Sequence, residues 1–322
     1  MGAALWAYGV FGLVLAVGLA VMVRRGDWQT ARGLDTLILF GPVFYAAPIA
    51  AFGTEHFTLT RSMVSMVPSW IPWHLFWIYF VGGCFIAAGL SLATRIQARL
   101  AASLLALTFF LFVVLMDAPG WAHHPDNRFA AALTLRELSF SGGALALAAS
   151  LTGEWRQRAS QMVATMARYF VGVPVLFYGV EQLVHGHYVP GIPLELVTPE
   201  WVYGHALWTY LAGAVYVVAA PFLLAGRKTR AAATWIGVTV LFVEVVVYVP
   251  IAVVEHVGLE GFNYLADTLM YGGAVLLLAG AMPRETSRES SADSSSRESS
   301  APTVARRSWG TGPRRPPSST GR

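Results

Sequence analysis

The chain has 322 residues, of which 56% are hydrophobic and only 12% are charged, and this composition excludes an ordinary soluble globular protein. The formal net charge is +4 and Cys84 is the only cysteine, which excludes a disulfide framework, a dithiol relay and iron–sulfur ligation by this chain. The sequence contains no phosphate-binding glycine loop or nucleotide fingerprint. Apolar runs that approach the ~20 residues needed to cross a bilayer predict an all-α, polytopic helical membrane protein.

Nine membrane spans are predicted along the chain. They are Leu5–Val23, Leu34–Phe52, His74–Ala93, Leu100–Met116, Leu133–Leu151, Tyr169–Val184, Val202–Leu224, Ala231–Val253 and Leu265–Ala281. With the N-terminus outside, the inner connections hold eleven basic residues and the outer connections hold three, Arg61, Arg128 and Arg136. We therefore predict a bacterial inner-membrane protein whose first span is a reverse anchor and whose C-terminus is cytoplasmic.

The same four-helix unit occurs twice in the sequence. At an offset of 126, Gly53, Glu55 and His56 match Gly179, Glu181 and Gln182. At an offset of 131, Trp70, His74, Trp77, Tyr79, Gly82, Arg99 and Pro119 match Trp201, His205, Trp208, Tyr210, Gly213, Arg230 and Pro250. At an offset of 130, Glu137, Gly142 and Gly143 match Asp267, Gly272 and Gly273. Because four spans are an even number, both copies have the same orientation, and the repeats are parallel.

This duplication divides the chain into four segments. Residues 1–33 form an N-terminal transmembrane helix and a cytoplasmic turn, 34–152 the first repeat, and 153–282 the second repeat. Residues 283–322 are rich in Ser, Arg and Pro, carry a net charge of +4, and predict a disordered cytoplasmic tail. We expect the tail to contact anionic membrane lipid rather than nucleic acid.

Ionisable residues inside or near the membrane are costly, so they are the candidates for ligand binding or proton handling. They are Glu55, His56, His74, Glu137, Glu181, His205, Glu244 and Asp267. All eight histidines lie on the predicted outer side, so any chemistry is expected to face outward. We group Glu55, His74 and Glu137 as one half-site and Glu181, His205 and Asp267 as the other.

A purely structural role remains open for each of these residues. Glu and His at helix ends satisfy free backbone groups, and Trp and Tyr form an aromatic belt. We expect Glu137 and Asp267 to begin the fourth helix of each repeat, where the helix dipole alone favours an acid. Glu244 differs from the rest because it lies inside a valine-rich span with no acidic counterpart in the first repeat, where Val113 stands.

Metal and haem are disfavoured by the spacing of the candidate ligands. The histidines that would supply such ligands are His123, His124, His185, His187 and His256. No spacing among them matches a zinc or haem signature, so we expect no metal site and no haem between His74 and His205.

Several motifs resemble the DoxX-like family of small four-helix bacterial membrane proteins. They are Phe52-Gly53-Thr54-Glu55-His56-Phe57, Val67-Pro68-Ser69-Trp70-Ile71-Pro72, Tyr79-x-x-Gly82, the basic turn at Arg95–Arg99 and an acid before Gly142-Gly143. The stretch from Arg168 to Met282 is similar to a diverged second copy. The resemblance implies a four-helix membrane fold and a link to quinone or redox systems, but it supplies no catalytic residue set.

The leading functional hypothesis is binding of quinone, or a similar small lipophilic molecule, at the outer His/carboxylate site. A membrane or periplasmic redox partner would then supply the electrons, because this chain holds no redox cysteine pair. Two alternatives stay open. One is a non-catalytic accessory that holds or assembles other membrane proteins, and the other is a proton-coupled transporter that uses Glu181 and Glu244.

Overall fold

The computed structural model describes residues 2–29, 31–151, 157–254 and 258–283, with backbone only for 157–159. The predicted tail and His256 lie outside the described residues. The helices are α1 (Gly2–Arg24), α2 (Asp35–Ile38), α3 (Gly41–Thr58), α4 (Thr60–Val64), α5 (His74–Thr94), α6 (Ala98–Phe112), α7 (Ala118–His123), α8 (Arg128–Ser150), α9 (Gln157–Val184), α10 (His205–Ala225), α11 (Thr229–Val243), α12 (Val249–Val254) and α13 (Glu260–Ala281). Asp27–Gln29 is a 3₁₀ turn, and the π-helical segments Val113–Asp117 and Glu244–Tyr248 join α6 to α7 and α11 to α12.

Within the described residues, eight helical stretches are long and apolar enough to cross a membrane. They are Gly2–Arg24, Asp35–Thr58, His74–Thr94, Ala98–His123, Ser160–Val184, His205–Ala225, Thr229–Val254 and Glu260–Ala281. The prediction of a polytopic helical membrane protein is therefore confirmed. The remaining predicted span is also a helix, α8, but it is not one of these eight. It carries Arg136 and Glu137 near its middle and has most of its residues buried among other helices.

Eight of the long helices form a closed ring of neighbours. In order of contact they are α3, α5, α6, α8, α9, α10, α11 and α13, and α13 closes the ring against α3. Helices α8 and α13 also contact each other across the ring, and α1 packs outside against α3 and α5. Helices α8 and α13, which contain the largest numbers of buried residues, therefore lie side by side at the centre.

Glycines allow the closest helix approaches. A Cβ added at Gly143 in α8 would lie 2.4 Å from the Cβ of Ala274 in α13, and one added at Gly273 would lie 2.7 Å from the backbone nitrogen of Tyr45 in α3. Such backbone-to-backbone contact is the packing that small residues provide between membrane helices. This contact fixes the position along their axes at which α8 and α13 cross. It therefore determines which side chains of the two helices face each other on either side of the crossing.

Three pairs of helix ends have related backbone conformations. Left-handed residues precede α5 and α10 at Trp73 (φ 59°) and Gly204 (φ 70°). The tight turn between α5 and α6 has left-handed residues at Arg95 and Gln97, and the turn between α10 and α11 has them at Gly226 and Lys228. Glycine adopts this conformation without strain, whereas the other four residues are held in it by the short turns or helix starts in which they lie.

Candidate functional site

The centre of the molecule contains an arginine held between two carboxylates. Arg136 Nη1 donates to Asp267 Oδ2 over 2.6 Å, and Arg136 Nη2 donates to Glu137 Oε1 over 2.7 Å. Arg136 and Asp267 each lie seven residues, about two helical turns, before Gly143 and Ala274. The close crossing at those two small residues brings the arginine and the aspartate together. We call Arg136, Glu137 and Asp267 the central triad.

The central triad retains unused hydrogen-bonding capacity. Glu137 and Asp267 are each 8% exposed, and neither Arg136 Nε nor Glu137 Oε2 has a partner among the described residues. A buried polar atom without a partner costs about 1–3 kcal/mol, and more when the group is charged. One donor and one acceptor on adjacent residues therefore have no partner among the described residues.

Glu55 lies beside the triad on a third helix. It is 4% exposed and lies near the C-terminal end of α3. When the Asn263 amide is oriented with its nitrogen towards the carboxylate, it donates to Glu55 Oε1 over 2.6 Å. Asn263 lies four residues before Asp267 on α13, so the two side chains lie on one helix face. Helices α3, α8 and α13 thus contribute to one polar region.

A second polar cluster surrounds Arg128 at the start of α8. Arg128 Nη1 lies 3.6 Å from Glu181 Oε2, and the same carboxylate oxygen lies 3.1 Å from His185 Nδ1. The guanidinium also donates to the carbonyls of Pro193 and Leu194 and stacks 3.9 Å from the centroid of the Tyr188 ring. With this many partners, the hydrogen-bonding groups of the Arg128 cluster are largely satisfied, unlike those of the central triad.

The connection between α9 and α10, which is the predicted outer connection of the second half, is held in place by hydrogen bonds. Residues 188–198, which we call the outer hairpin, contain the bridged pair Tyr188 and Val197 and six consecutive buried residues, 189–194. Side chains from several helices hold its backbone. Gln182 bonds both the nitrogen and the carbonyl of Gly191, Thr209 donates to the Tyr188 carbonyl, Tyr248 donates to the Pro190 carbonyl, and Tyr264 accepts from the Leu196 nitrogen.

The matching connection of the first half is open. Residues 59–73 contain no buried residue, although they include the short helix α4. Ile71, Pro72, Trp73, His74, Leu75 and Phe76 line a wide, shallow depression at the start of α5. The connection between α3 and α5 is therefore more accessible than the connection between α9 and α10.

The predicted half-sites are only partly brought together. Glu137 and Asp267, which were placed in different half-sites, are joined by Arg136. His74 and His205 begin α5 and α10 as predicted, but neither imidazole makes a hydrogen bond or ion pair among the described residues. His56 is partly buried, with Nδ1 2.8 Å from the Phe52 carbonyl oxygen.

The remaining histidines are distributed over the surface. His123 and His124 are exposed near the end of α7, and His187 stacks on Tyr188 with 4.1 Å between ring centroids. In the part of the chain that the structure describes, no three His, Cys, Asp or Glu side chains are grouped as a metal site.

Two sequence expectations are wrong. Glu137 and Asp267 do not begin their helices, because α8 starts at Arg128 and α13 at Glu260. Both acids lie about two turns inside, where the dipole effect has faded. The count of basic residues also predicts that Arg128 and Arg136 lie in outer connections between helices. In the structure, both residues belong to α8 and both form ion pairs. Sequence reasoning therefore missed the two arginines at the centres of the polar clusters.

No family model, curated protein or solved structure matches this chain. The DoxX-like resemblance thus rests on the motifs quoted from the sequence, and the site has to be interpreted from its own geometry.

Proposed function

We propose that this protein is a DoxX-like tandem repeat of the bacterial inner membrane with nine spans and an outer N-terminus. Eight spans are the apolar stretches described above and α8 is the ninth, protected from lipid by its neighbours in the ring. Arg227, Lys228 and Arg230 lie at the turn between α10 and α11, and the positive-inside rule places this end in the cytoplasm.

Matched packing contacts support the duplication. A Cβ at Gly82 would meet His56, Phe57 and the carbonyl of Gly53, and a Cβ at Gly213 would meet the residues 126 positions further along, which are Gln182, Leu183 and Gly179. The left-handed residues at helix ends are separated by 131 positions: Trp73 and Gly204, Arg95 and Gly226, Gln97 and Lys228. Two copies of one unit are expected to share such packing contacts and such backbone conformations.

Contacts in the last helix of each repeat favour an offset of 131 rather than 130. Gly142 packs against α9, the first helix of the second repeat, and Gly273 packs against α3, the first helix of the first repeat. With this offset Gly143 matches Ala274, the residue it touches, and Arg136 matches Asp267, its ion-pair partner. The pseudo-twofold axis then passes between α8 and α13.

The proposed activity is binding of a quinone, or a similar lipophilic carbonyl compound, at the central triad. The unused N–H of Arg136 and the unused oxygen of Glu137 are the observation that carries this proposal. A quinone carbonyl accepts a hydrogen bond from Arg136 Nε, and the hydroxyl of the reduced quinol donates to Glu137 Oε2. One buried donor and one buried acceptor therefore suit both redox forms of one head group.

The open outer connection provides the approach. A lipophilic molecule in the outer leaflet meets the depression around His74 first, whereas the outer hairpin covers the second half. Aromatic side chains at this depression, including Trp73 and Phe76, offer faces on which a ring can stack. In this proposal His74 receives the ligand, Arg136 and Glu137 hold it, and a redox partner supplies the electrons.

The proposal is tested by titrating short-chain quinone and quinol analogues into the full-length protein in lipid nanodiscs and following tryptophan fluorescence. Arg136→Lys keeps the charge but removes Nε–H, so it should weaken quinone binding about tenfold or more, as expected for a lost hydrogen bond to a charged group. Glu137→Gln should weaken quinol binding more than quinone binding. His74→Ala should slow or weaken binding, with His205→Ala for comparison.

Glu181→Gln is the matched control, since it changes a partly buried outer carboxylate that belongs to the Arg128 cluster. Size-exclusion chromatography checks that every variant stays folded. Absence of saturable binding by the wild-type protein, or equal affinities in Arg136→Lys, Glu137→Gln and Glu181→Gln, would refute the proposal.

A non-catalytic accessory role is the second candidate. It is favoured by the mutual satisfaction of Arg136 and Asp267, which a purely structural interhelical pair also provides. A stable partner that co-purifies with the wild-type protein and with Glu137→Gln alike, in the absence of quinone binding, would support this role.

A further inference from the structure

Glu244 occupies a second polar site, in the half of the molecule away from the open outer connection. It is the first residue of the π-helical segment Glu244–Tyr248, midway along the stretch Thr229–Val254. The residue is 5% exposed, and neither of its carboxyl oxygens has a hydrogen-bond partner among the described residues. π-Helical segments of this kind occur frequently at functional sites.

The surroundings of Glu244 are apolar. Val243, Val247 and Tyr248 are fully buried and pack in one cluster with Val189, Val202, Ala212 and Ile251. The titratable groups on the helices packed against the π-helical segment are Arg230 of α11 and Glu260, Tyr264, Asp267 and Tyr271 of α13. None of these groups is hydrogen-bonded or ion-paired to Glu244. Tyr248 is within electrostatic range of Glu244, but its hydroxyl already donates to the Pro190 carbonyl.

The first half shows that the carboxyl group is not needed to form the π-helical segment. Val113–Asp117 is an equivalent segment 131 residues earlier, and it begins with Val113 where the second half has Glu244. Valine therefore supports the same backbone geometry. The carboxyl of Glu244 is thus not required to shape the helix, and it makes no ion pair among the described residues.

We propose that Glu244 is a proton-binding carboxyl of the membrane interior that stays neutral in the resting protein and is modified covalently by lipophilic carbodiimides. An isolated carboxylate in an apolar environment is far less stable than the neutral acid, so the group holds a proton. The neighbouring residue Val245 is 67% exposed on the lateral surface of the bundle, so a lipid-dissolved reagent can come within one residue of Glu244 from the membrane side.

The expected reaction is an addition that conserves all atoms. The carboxyl oxygen of Glu244 bonds to the central carbon of the carbodiimide, and the carboxyl proton moves to one of its nitrogens. The resulting O-acylisourea then transfers its acyl group to nitrogen and gives a stable N-acylurea. Nothing leaves, so the protein gains the mass of one reagent molecule. The ionised carboxylate lacks the proton that this step requires.

The experiment treats the full-length protein in liposomes with dicyclohexylcarbodiimide and, in parallel, with a water-soluble carbodiimide. Intact mass and peptide mapping then locate the adduct. We expect one equivalent of the lipophilic reagent on Glu244, little reaction with the water-soluble one, and declining modification as the pH is raised. Glu244→Gln should lose this adduct, and Glu181→Gln should keep it.

Glu244→Val provides the folding control, because valine occupies the equivalent place in the first half. This variant should remain monodisperse and should bind quinone analogues like the wild type, which separates the Glu244 site from the central triad. An adduct that maps to Glu55, Glu137 or Asp267 instead, no adduct at all, or equal labelling of Glu244→Gln would overturn the proposal.

Discussion

Removing the positive charge from the central triad should destabilise the protein more than removing one of its negative charges. With all three groups ionised, the triad sums to −1, from one arginine and two carboxylates. Asp267→Asn brings this sum to 0 and leaves Arg136 paired with Glu137. Arg136→Met brings the sum to −2 and leaves two carboxylates side by side in a buried region. The two single substitutions are therefore not equivalent.

The expected magnitudes follow from the contacts that each substitution removes. Asp267→Asn replaces the ion pair by a hydrogen bond from the charged guanidinium to a neutral amide oxygen, which should lower the free energy of unfolding by about 1.5–3 kcal/mol. Arg136→Met leaves buried charges without a partner, which typically costs about 3–5 kcal/mol. The triple variant Arg136→Met, Glu137→Met, Asp267→Leu removes all three charges and should recover most of that loss, because well-packed apolar groups often replace buried ion pairs without net cost.

Unfolding by sodium dodecyl sulfate in mixed micelles, followed by tryptophan fluorescence, measures these differences. Arg61→Met is the matched control, because Arg61 is exposed, and a surface substitution of this kind changes stability by about 0.5 kcal/mol or less. The electrostatic account fails if Arg136→Met is no more destabilising than Arg61→Met. It also fails if Asp267→Asn costs more than Arg136→Met, or if the triple variant is the least stable of the series.

Three further predictions concern packing, hydrogen bonding and topology. Gly143→Ala places a methyl group 2.4 Å from a methyl of α13 and should cost about 1–3 kcal/mol in the same unfolding assay, whereas Gly83→Ala, which meets no atom within 4 Å, should be neutral or slightly stabilising. Tyr45→Phe removes a buried 2.8 Å hydrogen bond and should lower the free energy of unfolding by about 0.5–1.5 kcal/mol; an unchanged value would show that the hydroxyl contributes nothing. In a cysteine-free background, His124→Cys should react with a membrane-impermeant maleimide on intact cells and Arg227→Cys only after permeabilisation, and the opposite result would reverse the proposed orientation.

The sequence predicted the helices well where hydropathy alone decides. α5 begins at His74 as predicted, and Glu244 is buried as its valine surroundings indicate. The start of α8 was placed at Leu133, five residues late, because the apolar run begins there. A capping signal was present: Asn127 accepts a hydrogen bond from the Ala130 nitrogen at the helix start.

The composition of the polar clusters could not be predicted in the same way. The predicted span Leu133–Leu151 includes Arg136, but its partner lies 131 positions away and cannot be identified from the local sequence. The outer hairpin depends on partners such as Thr209 and Tyr264, which come from different helices. Hydropathy reports whether a residue avoids water, whereas such contacts depend on how the helices pack after insertion.

The proposed duplication explains why the central pair unites opposite charges. A residue next to a twofold axis faces its own equivalent, so in a symmetric dimer of single four-helix units an arginine at this position would face another arginine. Like charges at the observed 2.6 Å separation repel by roughly 6 kcal/mol at an effective dielectric constant of about 20. Fusion of both units in one chain lets the two copies diverge to Arg136 and Asp267, which turns this repulsion into attraction. The same freedom permits Val113 in one half and Glu244 in the other. Residues near the axis are therefore where the two halves are expected to differ most in chemistry while keeping the same backbone.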